Sequence, residues 1–189
     1  MLDEKLIKRA DQIKPYFYHL KSHPKAYNIF NQKHEKLCAD IYVNLVEYFQ
    51  EWYCEFDQEF ESVKLRPDRQ SVFNGLPAMW EIDRATMVHR KIISKAEKYL
   101  RYSRKYNRQF RVIFACSGRR ARNLITTLQQ FRNPNVWFYT VDYNELFKSP
   151  SAPIFYSVTG ERVALLPPLD SQETSTTQEI TSDLKEPTN

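Results

Sequence analysis

Three glycines in 189 residues are too few for the glycine-rich turns that cradle phosphate in P-loop or dinucleotide-binding folds, and neither fold is expected here. Cysteine is equally sparse. Cys38, Cys54 and Cys116 lie far apart, with no Cys-x-x-Cys, which argues against zinc and reads as reduced core residues of a cytosolic protein. No run approaches the roughly 18 consecutive apolar residues that cross a bilayer, and Met1-Leu2-Asp3-Glu4-Lys5 lacks the apolar middle of a signal peptide. The expectation is a soluble cytoplasmic chain without a membrane partner. His19, His23, His34 and His89 form no motif with a nucleophile and no serine stands in an elbow sequence, so Ser/His/Asp and Cys/His catalysis are unsupported.

What the chain does contain is 42% hydrophobic and 14% aromatic residues, enough for one ordinary domain with a core. Its formal charge of +5 is unevenly spread. From residue 170 onward Asp170, Glu173, Glu179, Asp183 and Glu186 face only Lys185, a net of −4, so residues 1–169 carry +9 by subtraction. A basic body favours polyanions. The Ser/Thr/Gln/Glu-rich stretch after Pro167-Pro168 has little apolar surface to offset its ordering entropy. The expected organisation is an N-terminal helical extension over 1–33, an α/β domain over 34–168 and a disordered acidic tail over 169–189.

Within that frame, Leu2, Leu6, Ile7, Ala10 and Ile13 follow helical spacing up to Pro15, a short helix is expected around 25–31, and Leu37, Ile41, Leu45, Val46 and Phe49 form one face of a helix over 34–50. Strands are expected at 52–56, 63–73 and 78–83, the last two joined by Asn74-Gly75, the turn pair of an antiparallel hairpin. A helix over 87–106, about 30 Å long at 1.5 Å per residue, precedes a buried-type strand at 111–116. A helix over 119–131, a strand at 136–141 and a hairpin of 154–158 with 162–166 across Gly160 complete a mixed sheet flanked by helices.

Asp68, in Arg66-Pro67-Asp68, precedes Glu81-Ile82-Asp83 by a hairpin-sized interval. Glu81 and Asp83 share one strand face, Trp80 and Ile82 take the other, and pairing through the turn sets Asp68 beside the two acids. Three clustered carboxylates repel unless a cation or strong hydrogen bonds offset them. Magnesium, with manganese as a substitute, suits oxygen ligands of this kind, which makes Asp68, Glu81 and Asp83 the candidate metal ligands. The bland alternative is that Asp68 caps a turn while Glu81 and Asp83 pair with Arg66, Arg69 or Arg84.

Pro67-Asp68 followed by Glu81-x-Asp83, in an order of helix, three strands, helix and strand, resembles the core of the PD-(D/E)xK nuclease superfamily. Over about residues 34–141 the pieces His34, Ile41-Tyr42-Val43-Asn44-Leu45, Trp52, Arg66-Pro67-Asp68, Trp80-Glu81-Ile82-Asp83-Arg84-Ala85-Thr86 and Lys95-x-x-x-Tyr99 resemble the plasmid replication-relaxation protein family. The resemblance implies an α/β fold with a PD-(D/E)xK nuclease-like core and a role on the DNA of a plasmid, phage or other mobile element. It also implies replication, relaxation or transposition proteins of that element as partners, with a homo-oligomer among the assemblies to expect. Members commonly carry an N-terminal winged helix, for which the 33 residues before His34 are too few, so reliance on a partner to find DNA is expected. In the nuclease superfamily the position two after the Glu usually holds a Lys that orients the attacking water. Asp83 stands there instead, leaving Lys91 or Lys95 on the following helix to substitute. Lys95-x-x-x-Tyr99 is similar to the Gln-x-x-x-Tyr motif of one nuclease branch, and Asp40 or Glu47 is the acid a first helix would add.

From 87 to 108 there are eight bases against the single acid Glu97. Lys91, Lys95, Lys98, Arg101 and Lys105 form one stripe of a helical wheel, opposite Ile92, Ile93, Ala96, Tyr99, Leu100 and Tyr106. An ordinary solvated helix also carries charge, but one sign rarely dominates so far. Five phosphates on this stripe imply a log K versus log salt slope of about −4 to −5. Arg119 and Arg120 open the next helix, where free N–H groups favour anions, and offer a second phosphate contact. Tyr102, at the border of the stripe, is a candidate for base stacking. The leading expectation is a DNA-binding accessory factor with a degenerate site. The alternatives are a magnesium-dependent endonuclease or nickase using Asp68, Glu81, Asp83 and Lys95, and a protein-interaction module without a DNA role.

Overall fold

The computed structural model describes residues 29–54, 58–60, 63–84 and 87–168 and, before them, two short strands, Ile7–Arg9 (β1) and Tyr18–Leu20 (β2), which pair antiparallel. The helix expected across Leu2–Ile13 is therefore not formed at Ile7–Arg9. A helix of that length stopped by Pro15 is marginal in water, whereas strand pairing satisfies the backbone groups involved. The tail expected from 169 onward lies outside the described residues.

Helix α1 runs Ile29–Leu45 and tightens into a 3₁₀ turn at Val46–Tyr48. Ile41 and Leu45 are buried against the sheet, as their spacing predicts, and so is Cys38, but Leu37 is half-buried and Val46 is 40% exposed. The change from 3.6 to about 3 residues per turn at that point rotates the apolar face away from it.

Strand β3 (Glu51–Cys54) follows, then β4 (Gln58–Phe60) and β5 (Val63–Leu65), which form a separate two-stranded ribbon. The single strand expected over 63–73 is broken at Arg66-Pro67-Asp68, since Pro67 has no N–H to give a ladder. Strand β6 (Arg69–Phe73) begins after the break and turns through Asn74 and Gly75, with φ of 49° and 65°, into β7 (Leu76–Asp83). Both turn residues are left-handed, the condition for a two-residue hairpin whose twist matches its strands.

From β7 the chain crosses through α2 (His89–Tyr106) to β8 (Phe110–Cys116), and through α3 (Arg119–Leu128) to β9 (Val136–Asp142). Helix α4 (Tyr143–Lys148) and the hairpin β10 (Phe155–Ser157) and β11 (Arg162–Val163) complete the fold. The order across the seven-stranded sheet is β11-β10-β9-β8-β7-β6-β3, with β7, β8 and β9 parallel and every other pair antiparallel. Successive crossovers in one direction place α2 and α3 on the same face. Their side of the core holds Met79, Tyr99, Val112, Phe114 and Leu128, while α1 and α4 cover Trp80, Ile82, Ile113, Ala115 and Phe155 on the other. Burial of β8 on both faces explains why it reads as a continuous apolar run. The mixed sheet flanked by helices is thus present. Cys38 and Cys116 are buried free thiols, and burial raises the Cys116 thiol to about 12, which makes it an inert core residue. No described helix is long and apolar enough to cross a membrane.

Candidate functional site

Arg69 pairs with Trp80 across β6 and β7, and the Asp68 N–H donates to the Trp80 carbonyl at 3.0 Å. Asp68 therefore sits just ahead of β6, against the residue before Glu81 on the partner strand, and its charge acts on the Glu81 carboxyl at the hairpin's open end. Asp68 Oδ2 accepts the Ile82 N–H at 2.7 Å, and its Oδ1 lies 3.4 Å from His34 Nε2. Next to it in sequence, Arg69 takes the opposite direction, donating to Glu35 and to the Asp68 carbonyl at 2.5 Å. His34 and Glu35, consecutive on α1, thereby hold the entry of β6 from both sides.

Glu81 is 1% exposed. One of its oxygens accepts from Lys95 Nζ and the other from the Tyr99 hydroxyl at 2.7 Å. Lys95 and Tyr99 are four apart, one turn of α2, which brings both donors to a single carboxylate. Burial lifts the Glu81 carboxyl from 4.5 to about 7, with Asp68 adding to the rise and Lys95 opposing it. Asp68 moves the other way: burial alone would raise it, but the bond from His34 and the charge of Lys95 hold it below the usual range. Burial pulls Lys95 down, and Glu81 and Asp68 outweigh this to raise it, so it stays charged. His34 is raised, chiefly by its bond to Asp68. Tyr99 is raised well above its ordinary 10.0 by burial and by Glu81, so its hydroxyl keeps its proton and donates.

Asp83 shares the face of Glu81, as the two-residue period predicts, but serves a different contact. Its Oδ2 accepts from Arg120 of α3 and its Oδ1 from the Met87 N–H at 3.1 Å. Among the described residues no three His, Cys, Asp or Glu side chains are grouped to hold a metal ion. The three-acid cluster expected from spacing becomes a pair, Asp68 and Glu81, because the Arg120 guanidinium claims Asp83. Two neighbouring carboxylates are within the number that magnesium, completing its octahedron with water and phosphate oxygens, takes from a protein. The rise of the Glu81 carboxyl comes first from burial, and the Lys95 ammonium opposes it by more than Asp68 adds.

Of the expected phosphate contacts, Lys91, Arg101 and Lys105 are exposed and Lys98 half-buried along α2. Lys95 turns inward to Glu81, and Arg120 donates to Asp83 and to the Met87 carbonyl, so neither belongs to an outward-facing ridge; Arg119 is exposed. Tyr102 is 7% exposed, packed on Tyr106 and Phe110 at centroid distances of 5.0 and 5.7 Å, and is core rather than a stacking platform. Neither Asp40 nor Glu47 is the α1 residue at Asp68. Asp40 pairs with Lys36 at 2.5 Å on the exposed side and Glu47 sits in the 3₁₀ turn, while His34 makes the contact. His34 and Asp68 are 34 positions apart, and no local pattern links them. Only the tertiary packing of α1 on the β6 entry pairs the two. The chain matches no known family model and no curated protein.

Proposed function

We propose that this protein is a metal-dependent phosphodiester hydrolase of DNA, an endonuclease or nickase with a PD-(D/E)xK-like arrangement, acting in the replication, relaxation or processing of a mobile element. The observation that carries this reading is the placement of Lys95 against Glu81, with Asp68 near enough for its charge to act on both. The case for a degenerate accessory factor was the absence of a cation two residues after Glu81. With an ammonium delivered to the same carboxylate from α2, that case loses its main support.

Asp68 and Glu81 are the residues that would hold Mg²⁺ or Mn²⁺, which when bound supplies Lewis-acid stabilisation of the phosphoryl oxygens and a water of lowered pKa. The remaining roles fall to the chain. His34 and the Ile82 N–H fix the orientation of Asp68, as Tyr99 and Lys95 fix that of Glu81, so both acids would hold an ion with little rotamer searching. Lys95 stays protonated beside two acids, keeps a proton at Nζ for an attacking water or a phosphoryl oxygen to accept as a hydrogen bond, and adds a positive charge where negative charge develops. Lys91, Lys98, Arg101 and Lys105, outside the site on the same helix, supply salt-dependent attraction for the phosphate backbone.

The test is supercoiled plasmid with Mg²⁺ or Mn²⁺, comparing wild type with Asp68→Ala, Glu81→Ala and Lys95→Ala. The expected result is nicking by wild type and a loss of about 10²-fold or more in each variant, the scale for removing one preorganised charge-stabilising group. Salt-sensitive DNA binding by a wild type that never cleaves overturns the hydrolase in favour of the accessory factor. Lack of a retarded band at low salt, unchanged when Lys98 and Arg101 are neutralised, leaves only a protein-interaction module.

A further inference from the structure

We infer that Asp83 and Arg120 are positioning residues that set where α2 begins and thereby hold Lys95 and Tyr99 on Glu81. The inference rests on the hydrolase reading for its functional meaning, although the coupling it describes is a property of the fold alone.

Helix α2 starts without the usual local anchors. Its N-cap, Val88, has no side chain able to accept a hydrogen bond, and its first turn contains no acid. His89, Arg90 and Lys91 instead bring basic groups to the end where the helix dipole is already positive. In its first turn the Lys91 N–H reaches the Val88 carbonyl at 2.9 Å, but no side chain caps the helix and its cations oppose the dipole, so a helix beginning this way is weakly anchored. The structure supplies a fixture from outside. Asp83, the last residue of β7, accepts the Met87 N–H, and Arg120 donates at once to Asp83 and to the Met87 carbonyl. Both backbone polar groups of Met87 are therefore held, two residues before the helix, by a ring of three residues from β7, its link to α2, and α3. His89, the first residue of α2, is tied to the same helix α3 through Thr127.

Lys95 lies eight residues beyond Met87, about 12 Å along a helix, and a slip of one residue would rotate its side chain by roughly 100°. Lys95 and Tyr99 can hold both oxygens of Glu81 only when the start of α2 is fixed. Position 83 then has a physical reason for its acid. A cation there would face Arg120 and leave the Met87 N–H without its acceptor, so the charge that serves Glu81 comes from the helix, and Asp83 anchors the helix that brings it.

The experiment reads Lys95 directly. Folded protein is treated with the N-hydroxysuccinimide ester of acetate, and acetylation of each lysine is followed by mass spectrometry. In wild type, Lys95 is expected to react far more slowly than exposed Lys91 on the same helix. Arg120→Ala and Asp83→Asn should raise the Lys95 rate about tenfold or more, the effect of losing a charge-assisted hydrogen bond on local opening, with Lys91 unchanged. Arg120→Lys, which keeps the charge but cannot donate to both acceptors, should fall between. Should Arg120→Ala fail to unfold cooperatively, Asp83→Asn and Arg120→Lys carry the comparison. An unchanged Lys95 rate in folded variants overturns the inference, and so does an equal rise at Lys91. Cleavage separates the two readings: if wild type nicks plasmid, the same variants should lower kcat with KM unchanged. If wild type does not nick, the hydrolase reading fails while the Lys95 rates still decide the positioning role.

Discussion

At the scale of residues, Glu81 carries the sharpest consequence. Its carboxyl is raised to about 7 in the fold against an ordinary 4.5, so between those values the folded state binds more protons than the unfolded one and stability falls as pH rises. His34, also raised, adds to the fall as pH passes upward through its own titration. Asp68, held low, contributes stability that disappears only in acid below its ordinary 3.8. In EDTA, denaturant midpoints should therefore decrease from pH 5 to pH 7.5, with Glu81 accounting for on the order of 3 kcal/mol. Glu81→Gln should flatten that profile, and an unaltered slope in the variant would show that the carboxyl is not held as described. Saturating Mg²⁺ is expected to reverse the trend, because the ligand form of Glu81 is the ionised one. The sequence made Asp68, Glu81 and their common face legible, since strand period and an Asn-Gly turn suffice for that. It could not assign Lys95 between ridge and site, nor turn Arg120 from a phosphate contact into the partner of Asp83.

Elements were legible in proportion to the strength of their own signal. Helix α2 was clear because eighteen residues without Gly or Pro repeat their apolar positions, and it ends at Asn107 in a left-handed cap with φ 47°. Strand β4 and helix α4 are short, three and six residues, and depend on neighbours rather than period, so no expectation covered them. The outward ridge of α2 is narrower than a helical wheel suggests, with Lys91, Lys98, Arg101 and Lys105 remaining once Lys95 turns inward. For four phosphates the log K versus log salt slope should be about −3 to −4, and neutralising Lys98 and Arg101 together should reduce it by about 2. Fluorescence anisotropy on a short duplex across a salt series measures this. A slope unaffected by the double substitution would remove α2 from the DNA interface.

For the whole molecule, β8 is the member on which the rest depends, since it lies between β7 and β9 with a helix-covered core on each side. Phe114, fully buried opposite Glu81 in the β7–β8 register, is a suitable probe. Phe114→Ala should cost about 3–5 kcal/mol in a chemical denaturation curve and lower metal binding with it, because the cavity would relax the strand that carries the site. A loss below about 1 kcal/mol would mean that this layer of the core is not close-packed. The sequence by itself determined the class of fold, the hairpin that brings Asp68 and Glu81 to the same end, and the helix that follows. These follow from periods of 2 and 3.6 residues and from turn chemistry, which act over a few neighbouring residues. Only the tertiary structure decided that Lys95 and Tyr99 close on Glu81, that His34 reaches Asp68, and that Arg120 draws Asp83 out of the acid cluster. Those partners are 14 to 37 positions apart in sequence, and their meeting is set by packing of helices on a sheet, which no local pattern encodes.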